Sequence, residues 1–311
     1  MNSIICIAGP TASGKTALAV ELAKEYNGEV VSCDSMQVYK RMDIGTAKPT
    51  PEEMQGIVHH MIDVAEPDED FSVSRYCEMA APIVDDILSR GKIAIIAGGT
   101  GLYMDSLIRG NDFAPFPSTG VREQLEQQAD AEGMEAMLSR LQSIDPEAAA
   151  RLHLSDRKRI LRALEVYLET GETITAHNRR TQAVPPRYTP LWLGLDFAER
   201  AELYRRIEAR VGLMLEMGLV EEIQGLLGSG IPAGATSMQA IGYKEFAAAL
   251  NGEGTVEEAA DQVRQSSRRY AKRQLTWFRR NREIHWLTRA SREGTEEIIA
   301  RARQVLREFD N

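Results

Sequence analysis

The chain has 311 residues, and 37 Lys+Arg against 46 Asp+Glu give a formal net charge of −9. Its 43% apolar and 27% charged composition excludes a disordered or collagen-like chain. The length suits about two domains, and the acidity argues against a protein that coats nucleic acid indiscriminately.

Ser3 to Ala8 is an apolar run ending at glycine and predicts a strand; Thr16 to Tyr26 places Leu18, Leu22 and Tyr26 at helical spacing. Glu29 to Cys33 and Lys92 to Ala97 read as two further buried strands, with a helix over Val73 to Arg90 between them. Strands alternating with helices imply a parallel sheet, whose ligands collect beyond the carboxyl ends of the strands, here Gly9, Asp34 and Gly98. Phe113 to Ser118 reads as a linker, and residues 116–185 as a charged, Ala/Leu-rich helical insertion without strands. After the proline-rich Val184 to Arg187, Leu191 to Leu195 is a returning core strand; helices then predominate, with a last short strand at Ile284 to Leu287. The expected fold class is α/β: a P-loop NTPase-like parallel sheet core flanked by helices, residues 1–115 and 186–311, with an inserted all-helical domain at 116–185.

Cys6, Cys33 and Cys77 have neither disulfide-framework nor zinc spacing, which points to a reducing compartment. The first ten residues lack the basic and apolar regions of a secretory signal, and no apolar run reaches roughly 18 residues. A cytoplasmic protein with no membrane partner is the expectation.

Gly9-Pro10-Thr11-Ala12-Ser13-Gly14-Lys15-Thr16 matches the phosphate-loop pattern, between a strand and a helix as that motif requires. Its glycines let backbone N–H groups turn toward one anion, and the helix start adds the positive end of its dipole. Lys15 is expected on the terminal phosphate oxygens, and the Thr16 hydroxyl on a Mg²⁺ ion bridging phosphates. Asp34 follows the second strand, where a carboxylate either holds Mg²⁺, takes a proton from an acceptor, or caps a turn. The third strand ends in Gly98-Gly99-Thr100-Gly101, where ATP-hydrolysing proteins commonly carry an acid and this chain has none. Its glycines also suit a tight turn. His59 and His60 lack a neighbouring third ligand and read as structural.

Basic clusters occur despite the acidic total. Four of the seven residues from Asp156 to Arg162 are cationic, within the insertion, and eight cations from Arg264 to Arg282 are interleaved with Tyr270, Trp277 and Phe278. Such stretches suit phosphate contacts and base stacking, and equally a solvated helix face.

The ordered set of segments resembles the tRNA dimethylallyltransferase (tRNA isopentenyltransferase) family over nearly the whole chain. The resemblance is carried by Asp34 to Pro49, His59-His60-Met61-Ile62-Asp63, Gly98 to Tyr103, Arg162 to Val166, Gln239 to Lys244, and Tyr270 to Gln274 with Trp277. It implies transfer of a dimethylallyl group from its diphosphate to N6 of the adenosine just 3′ of the anticodon, in tRNAs reading codons that begin with U. Mg²⁺ would be the cofactor, ATP would not be consumed, and the working form would be a monomer with no obligate protein partner. By the same resemblance Asp34 is the general base, and Arg210 joins the phosphate loop on the diphosphate; Lys15, Thr16 and Thr100 complete the catalytic set. Asp34, Ser35, Met36, Gln37, Thr100, Arg122 and the segment Gln239, Ala240, Ile241, Gly242, Tyr243 and Lys244 would touch the tRNA anticodon stem-loop. Lys158, Arg159, Ile160, Leu161 and Arg162 would add to that grip. Gln37 offers both a donor and an acceptor, as an adenine edge requires. A P-loop small-molecule kinase explains the first forty residues equally well but not the basic helices or the motif order; a non-catalytic nucleotide-dependent RNA-binding module leaves Asp34 without an acceptor to deprotonate.

Overall fold

The computed structural model describes residues 3–110, 119–290 and 293–309. The chain forms two compact units, Met1–Gly110 with Arg187–Asn311, and Asn111–Pro186. The linker expected at Phe113 to Ser118 lies outside the described residues.

The first unit is built on six strands: β1 (Ser3–Ala8), β2 (Gly28–Ser32), β3 (His59–His60), β4 (Ile93–Gly98), β5 (Thr189–Phe197) and β6 (His285–Arg289). They form one sheet in the order β3-β2-β4-β1-β5-β6, and every pairing is parallel. The fold is therefore the expected P-loop NTPase-like α/β sheet flanked by helices. Strands covered on both faces are mostly apolar; five of the six residues of β1 are buried, as are all five of β2, where Glu29 and Ser32 are the polar exceptions. On one face, Ile5, Ile7, Leu193 and Leu195 pack with Leu18 and Leu22 of the helix Lys15–Glu25 and with Ile298 and Ala302 of the last helix, Thr295–Phe309.

β1 has β4 on one side and β5 on the other, so successive connections diverge from it, and the crevice beyond its carboxyl end is where such sheets bind ligands. The register aligns Ala8 with Gly98 and Ser32 with Ala97, so the loops after β1, β2 and β4 emerge together.

The pattern of the sequence missed β3. Two residues are too few to show alternation. His59 and His60 pair with Val30 and Val31, and His60 Nε2 lies 2.8 Å from the buried Glu29 carboxylate. Arg90 and Lys92 also hydrogen-bond Glu29, and the Arg90 bond is the largest cause holding its pKa well below the usual carboxylate range. His59 Nδ1 lies 2.9 Å from Ile57 O, and among the described residues no group of three or more His, Cys, Asp or Glu is placed to hold a metal. The three cysteines are free and buried. No described helix is long and apolar enough to cross a membrane.

The second unit is helical in its described part: Val121–Ile144, Pro146–Ala149, Arg157–Thr170 and Ile174–Ala183. The first of these is kinked at Gly133, whose φ of 83° no other residue type adopts readily. Its own core contains Leu125, Leu141, Ile160, Leu161 and Leu164. That packing corrects the expectation for Ile160 and Leu161. Both are fully buried, so their side chains cannot touch RNA. The spacing of two apolar positions between cations is that of a helix turning its inner face to the core.

Candidate active site

The loops after β1, β2 and β4 open into a cleft of about 810 Å³ in the first unit, lined by Thr11 to Ala17, Asp34 to Gln37, Gly45 to Ala47, faces of the helices Arg200–Glu216 and Val256–Phe278, and most of Gln239 to Lys244.

The phosphate loop is tied to both helices. Gln274 Oε1 accepts from the Thr11 N–H at 2.9 Å, while Gln274 Nε2 donates to Gly99 O at 3.1 Å. Arg206 Nε donates to Ala12 O at 3.1 Å, and Arg210 Nη1 to Thr11 Oγ1 at 3.3 Å. Lys15 Nζ donates to Pro10 O at 2.8 Å. Ala12 holds φ at 63°, a strained value for a residue with a Cβ, which these contacts impose. Ser13 Oγ is buried with no hydrogen-bond partner among the described residues. Its hydroxyl is a donor available to an anion seated in the loop.

Burial lowers Lys15 to a pKa of about 8, with Asp34 opposing that shift and Arg210 adding to it. Arg210 is also lowered, first by burial. Two cations and one carboxylate therefore share a poorly solvated cleft.

Asp34 Oδ1 accepts from the Met36 N–H at 2.9 Å and the Gln37 N–H at 3.4 Å. The turn-cap reading is thus satisfied by one oxygen, while Oδ2 has no hydrogen-bond partner among the described residues. Thr100 does not line the cleft; its Oγ1 accepts from the Ser35 N–H at 3.0 Å and so anchors the turn that carries Asp34. Gln37 departs from expectation. Its amide donates to Thr46 O at 3.3 Å and to Ala47 O at 3.1 Å, and its Oε1 accepts from Ser32 Oγ at 3.0 Å. Both donors are spent, so toward a ligand Gln37 can only accept.

Gln239, Ala240, Ile241, Gly242 and Lys244 line the cleft, but Tyr243 does not. It is wholly buried, with its hydroxyl on Glu222, which corrects the expectation that it contacts tRNA. Gly9 and Pro10, expected on the diphosphate, are not in the lining. In the other unit, Arg122 pairs with Glu126 and, at 3.5 Å, with Glu165; Lys158, Arg159 and Arg162 are exposed on the helix Arg157–Thr170.

Gln274 lies in a segment that carries the resemblance, but neither its hold on the phosphate loop nor that of Arg206 was readable from motif spacing. Each lies on a helix about 200 residues or more from the loop it holds, and only the helical face they share with Arg210 and Tyr270 could have hinted at them. The glycines of the β4 loop also resolve: a Cβ at Gly98 would stand 1.9 Å from Cys33 O, and one at Gly99 2.0 Å from Gln274 Nε2. They permit close approach rather than a turn. Gly98→Ala is expected to destabilise the protein by about 1–3 kcal/mol or more, read as a lower urea midpoint; an unchanged midpoint would mean β2 and β4 do not approach this closely.

Residues 37–281 match the sequence model of a family described as IPP transferase. The chain is 45% identical over 310 residues to the tRNA dimethylallyltransferase of Acetivibrio thermocellus, covering 99% of each. It is 48% identical over 297 residues to that of Thermoanaerobacter pseudethanolicus, covering 95% of this chain and 94% of the relative. Among solved structures, the tRNA isopentenylpyrophosphate transferase of Bacillus halodurans superimposes with a TM-score of 0.74 at 41% identity, covering 99% and 98% of the two chains. A eukaryotic dimethylallyltransferase acting on tRNA superimposes with a TM-score of 0.81 at 27% identity, covering 99% of this chain and 80% of the other.

Proposed function

The chain belongs to the IPP transferase family, and from that premise we propose that it transfers a dimethylallyl group from dimethylallyl diphosphate to N6 of the adenosine immediately 3′ of the anticodon, in tRNAs reading codons that begin with U. The family membership displaces the small-molecule kinase reading. The observation that carries the mechanism is the convergence of Lys15, Arg210 and Asp34 on one cleft.

The diphosphate lies on the phosphate loop, with its charge met by Lys15, Arg210, the loop N–H groups and the buried Ser13 hydroxyl. As the bond from the allylic carbon to oxygen breaks, its electron pair leaves on the diphosphate, and those same groups stabilise the growing charge. The N6 lone pair forms the new C–N bond, and the free Oδ2 of Asp34 takes the N6 proton. Gln37 Oε1 accepts from the second N6 hydrogen. An exocyclic amine, with two hydrogens to give, fits this pair of acceptors where a carbonyl does not.

Mg²⁺ fits this site as an ion carried mainly by phosphate and water, because the described residues offer no cluster of protein ligands while Thr16 and Asp34 line the cleft. Thr16 would hold it, and it would neutralise charge on the departing diphosphate. The enzyme works as a cytoplasmic monomer.

The flipped adenosine reaches the cleft from a single-stranded loop, at an unstacking cost of a few kcal/mol. Grip on the remaining tRNA comes from exposed cations. Arg268 is held by Glu208 at 2.6 Å and Arg264 by Asp261 at 2.6 Å, whereas Arg269 and Lys272 are exposed, three residues apart on one helix face, with no ion pair among the described residues. Arg269→Ala and Lys272→Ala should each weaken tRNA binding with little regard to sequence and lower the slope of log affinity against log salt by about 1. Unchanged slopes would return these side chains to solvated surface. On the helical unit the exposed Lys158 serves the same purpose, while Arg159 and Arg162 are paired with Asp156 at 3.6 Å and Glu165 at 2.9 Å.

The function is tested by incubating the protein with Mg²⁺, dimethylallyl diphosphate and unmodified tRNA, then digesting to nucleosides. The expected product is N6-(dimethylallyl)adenosine at the position 3′ of the anticodon; a five-carbon gain on another nucleoside, or none, would contradict the reading.

A further inference from the structure

Outside the groups that touch the reacting atoms, one contact is built with unusual completeness. The backbone N–H groups of Asp43, Ile44 and Gly45 all donate to the carboxylate of Glu222, at 2.9, 2.8 and 3.2 Å. Three successive N–H groups turned to one side form an anion-binding concavity, and Glu222, on the helix Leu219–Gly228, fills it from within the chain. Tyr243 donates its hydroxyl to the same carboxylate at 2.5 Å. Its ring closes over Gly45, where a Cβ would stand 2.4 Å from Tyr243 Cε2, so that position admits glycine alone.

The loop held in this way has a second face. Thr46 Oγ1 donates to Met42 O at 2.6 Å, and the Ala47 N–H to Ile44 O at 3.0 Å, with Ala47 at a φ of 50°. The left-handed Ala47 is sustained only while its surroundings hold it. The two carbonyls at this corner, Thr46 O and Ala47 O, receive both amide hydrogens of Gln37. A chain of contacts therefore runs from Glu222 through residues 43–47 to the amide orientation of Gln37. Were the loop to relax, Gln37 could rotate its NH₂ into the cleft and present donors to an amine that has no lone pair to spare.

We propose that Glu222 is a positioning residue for the base pocket: by clamping Asp43 to Gly45 it fixes the Thr46 and Ala47 carbonyls and keeps Gln37 an acceptor toward the exocyclic amine of the target base. This rests on the reading of Gln37 as a base-pocket residue. The phosphate loop is reached by none of these contacts, so the prenyl donor's site is insulated from Glu222.

The test is a kinetic double-mutant cycle of Glu222→Gln and Gln37→Ala on the full-length enzyme, with dimethylallyl diphosphate and an unmodified anticodon stem-loop. Glu222→Gln should raise KM for the stem-loop about tenfold or more while KM for the diphosphate stays within about twofold. The double variant should be no worse than Gln37→Ala alone, because the first effect passes through the second residue. Effects that multiply, or an equal rise in both KM values, would overturn the proposal and leave Glu222 a stabiliser of the fold. Tyr243→Phe, which removes one of the four donors and leaves the ring on Gly45, should move the same KM in the same direction by less; no change there together with multiplicative effects would also overturn it. The wild-type enzyme separates the two readings: if it prenylates no RNA, the function fails and this inference with it, whereas an active wild type with independent variants fails the inference alone.

Discussion

Asp34→Asn is expected to lower kcat for prenyl transfer by about 100- to 10,000-fold, the range over which a positioned proton acceptor contributes, while tRNA affinity stays within a few fold. Asparagine keeps an oxygen for the Met36 and Gln37 N–H groups that Oδ1 now serves. The turn therefore survives, and the lost property is the carboxylate's capacity to take a proton. Asp34→Ala removes the cap as well, and should show the same loss of turnover with some added loss of binding. Binding is read by filter retention or anisotropy of a labelled stem-loop, and turnover by single-turnover kinetics so that product release does not hide the step. Normal turnover in Asp34→Asn, or a collapse of tRNA binding, would sink the assignment of the base.

Lys15→Ala carries the other large expected effect. A buried cation that meets developing charge on a leaving group is worth about 100- to 1,000-fold in rate, and Lys15 has the burial that makes such a charge effective. Its lowered pKa of about 8 adds a pH signature. In the proposed reaction it is the charged ammonium that binds the diphosphate. Below pH 8 it is present, and as pH rises through 8 it is lost. The value of kcat/KM for dimethylallyl diphosphate, which reports the free enzyme, should accordingly fall on the alkaline side of about 8, and Lys15→Arg should shift that limb upward because guanidinium stays charged. An alkaline limb unmoved in Lys15→Arg would assign it to another group.

How far these assignments were legible in the sequence depends on the range of the physics behind each. The phosphate loop was readable because its chemistry is local: glycines, Lys15 and Thr16 act within a single strand-turn-helix. Asp34 was readable as a candidate from its place after β2, yet its division of labour, one oxygen capping and one free, needed coordinates. Gln37 shows the limit most clearly. Residue type gives it a donor and an acceptor; the carbonyls of Thr46 and Ala47 remove the donors, and nothing in the spacing of Gln37 announces that loop. Tyr243, Ile160 and Leu161 lie inside recognisable segments but point into cores, because a helix one side of which meets a ligand must turn its other side to the protein. The glycines at 98 and 99 looked like a turn and serve instead to admit Cys33 and Gln274. The grip of Gln274 and Arg206 on the phosphate loop was silent, although Gln274 stands in a recognised segment, since a helix far along the chain carries no local mark of the loop it will hold.

In the proposed reaction the cleft holds a prenyl diphosphate as donor and an RNA adenosine as acceptor, with no role for nucleotide hydrolysis. The most direct test is one reaction run in two tubes: protein, Mg²⁺ and an unmodified anticodon stem-loop, with labelled dimethylallyl diphosphate in the first tube and γ-labelled ATP in the second. Label is expected on the RNA in the first tube, and no phosphate transfer or release in the second. Consumption of ATP with an RNA that stays unlabelled by the prenyl donor would contradict the proposed reaction.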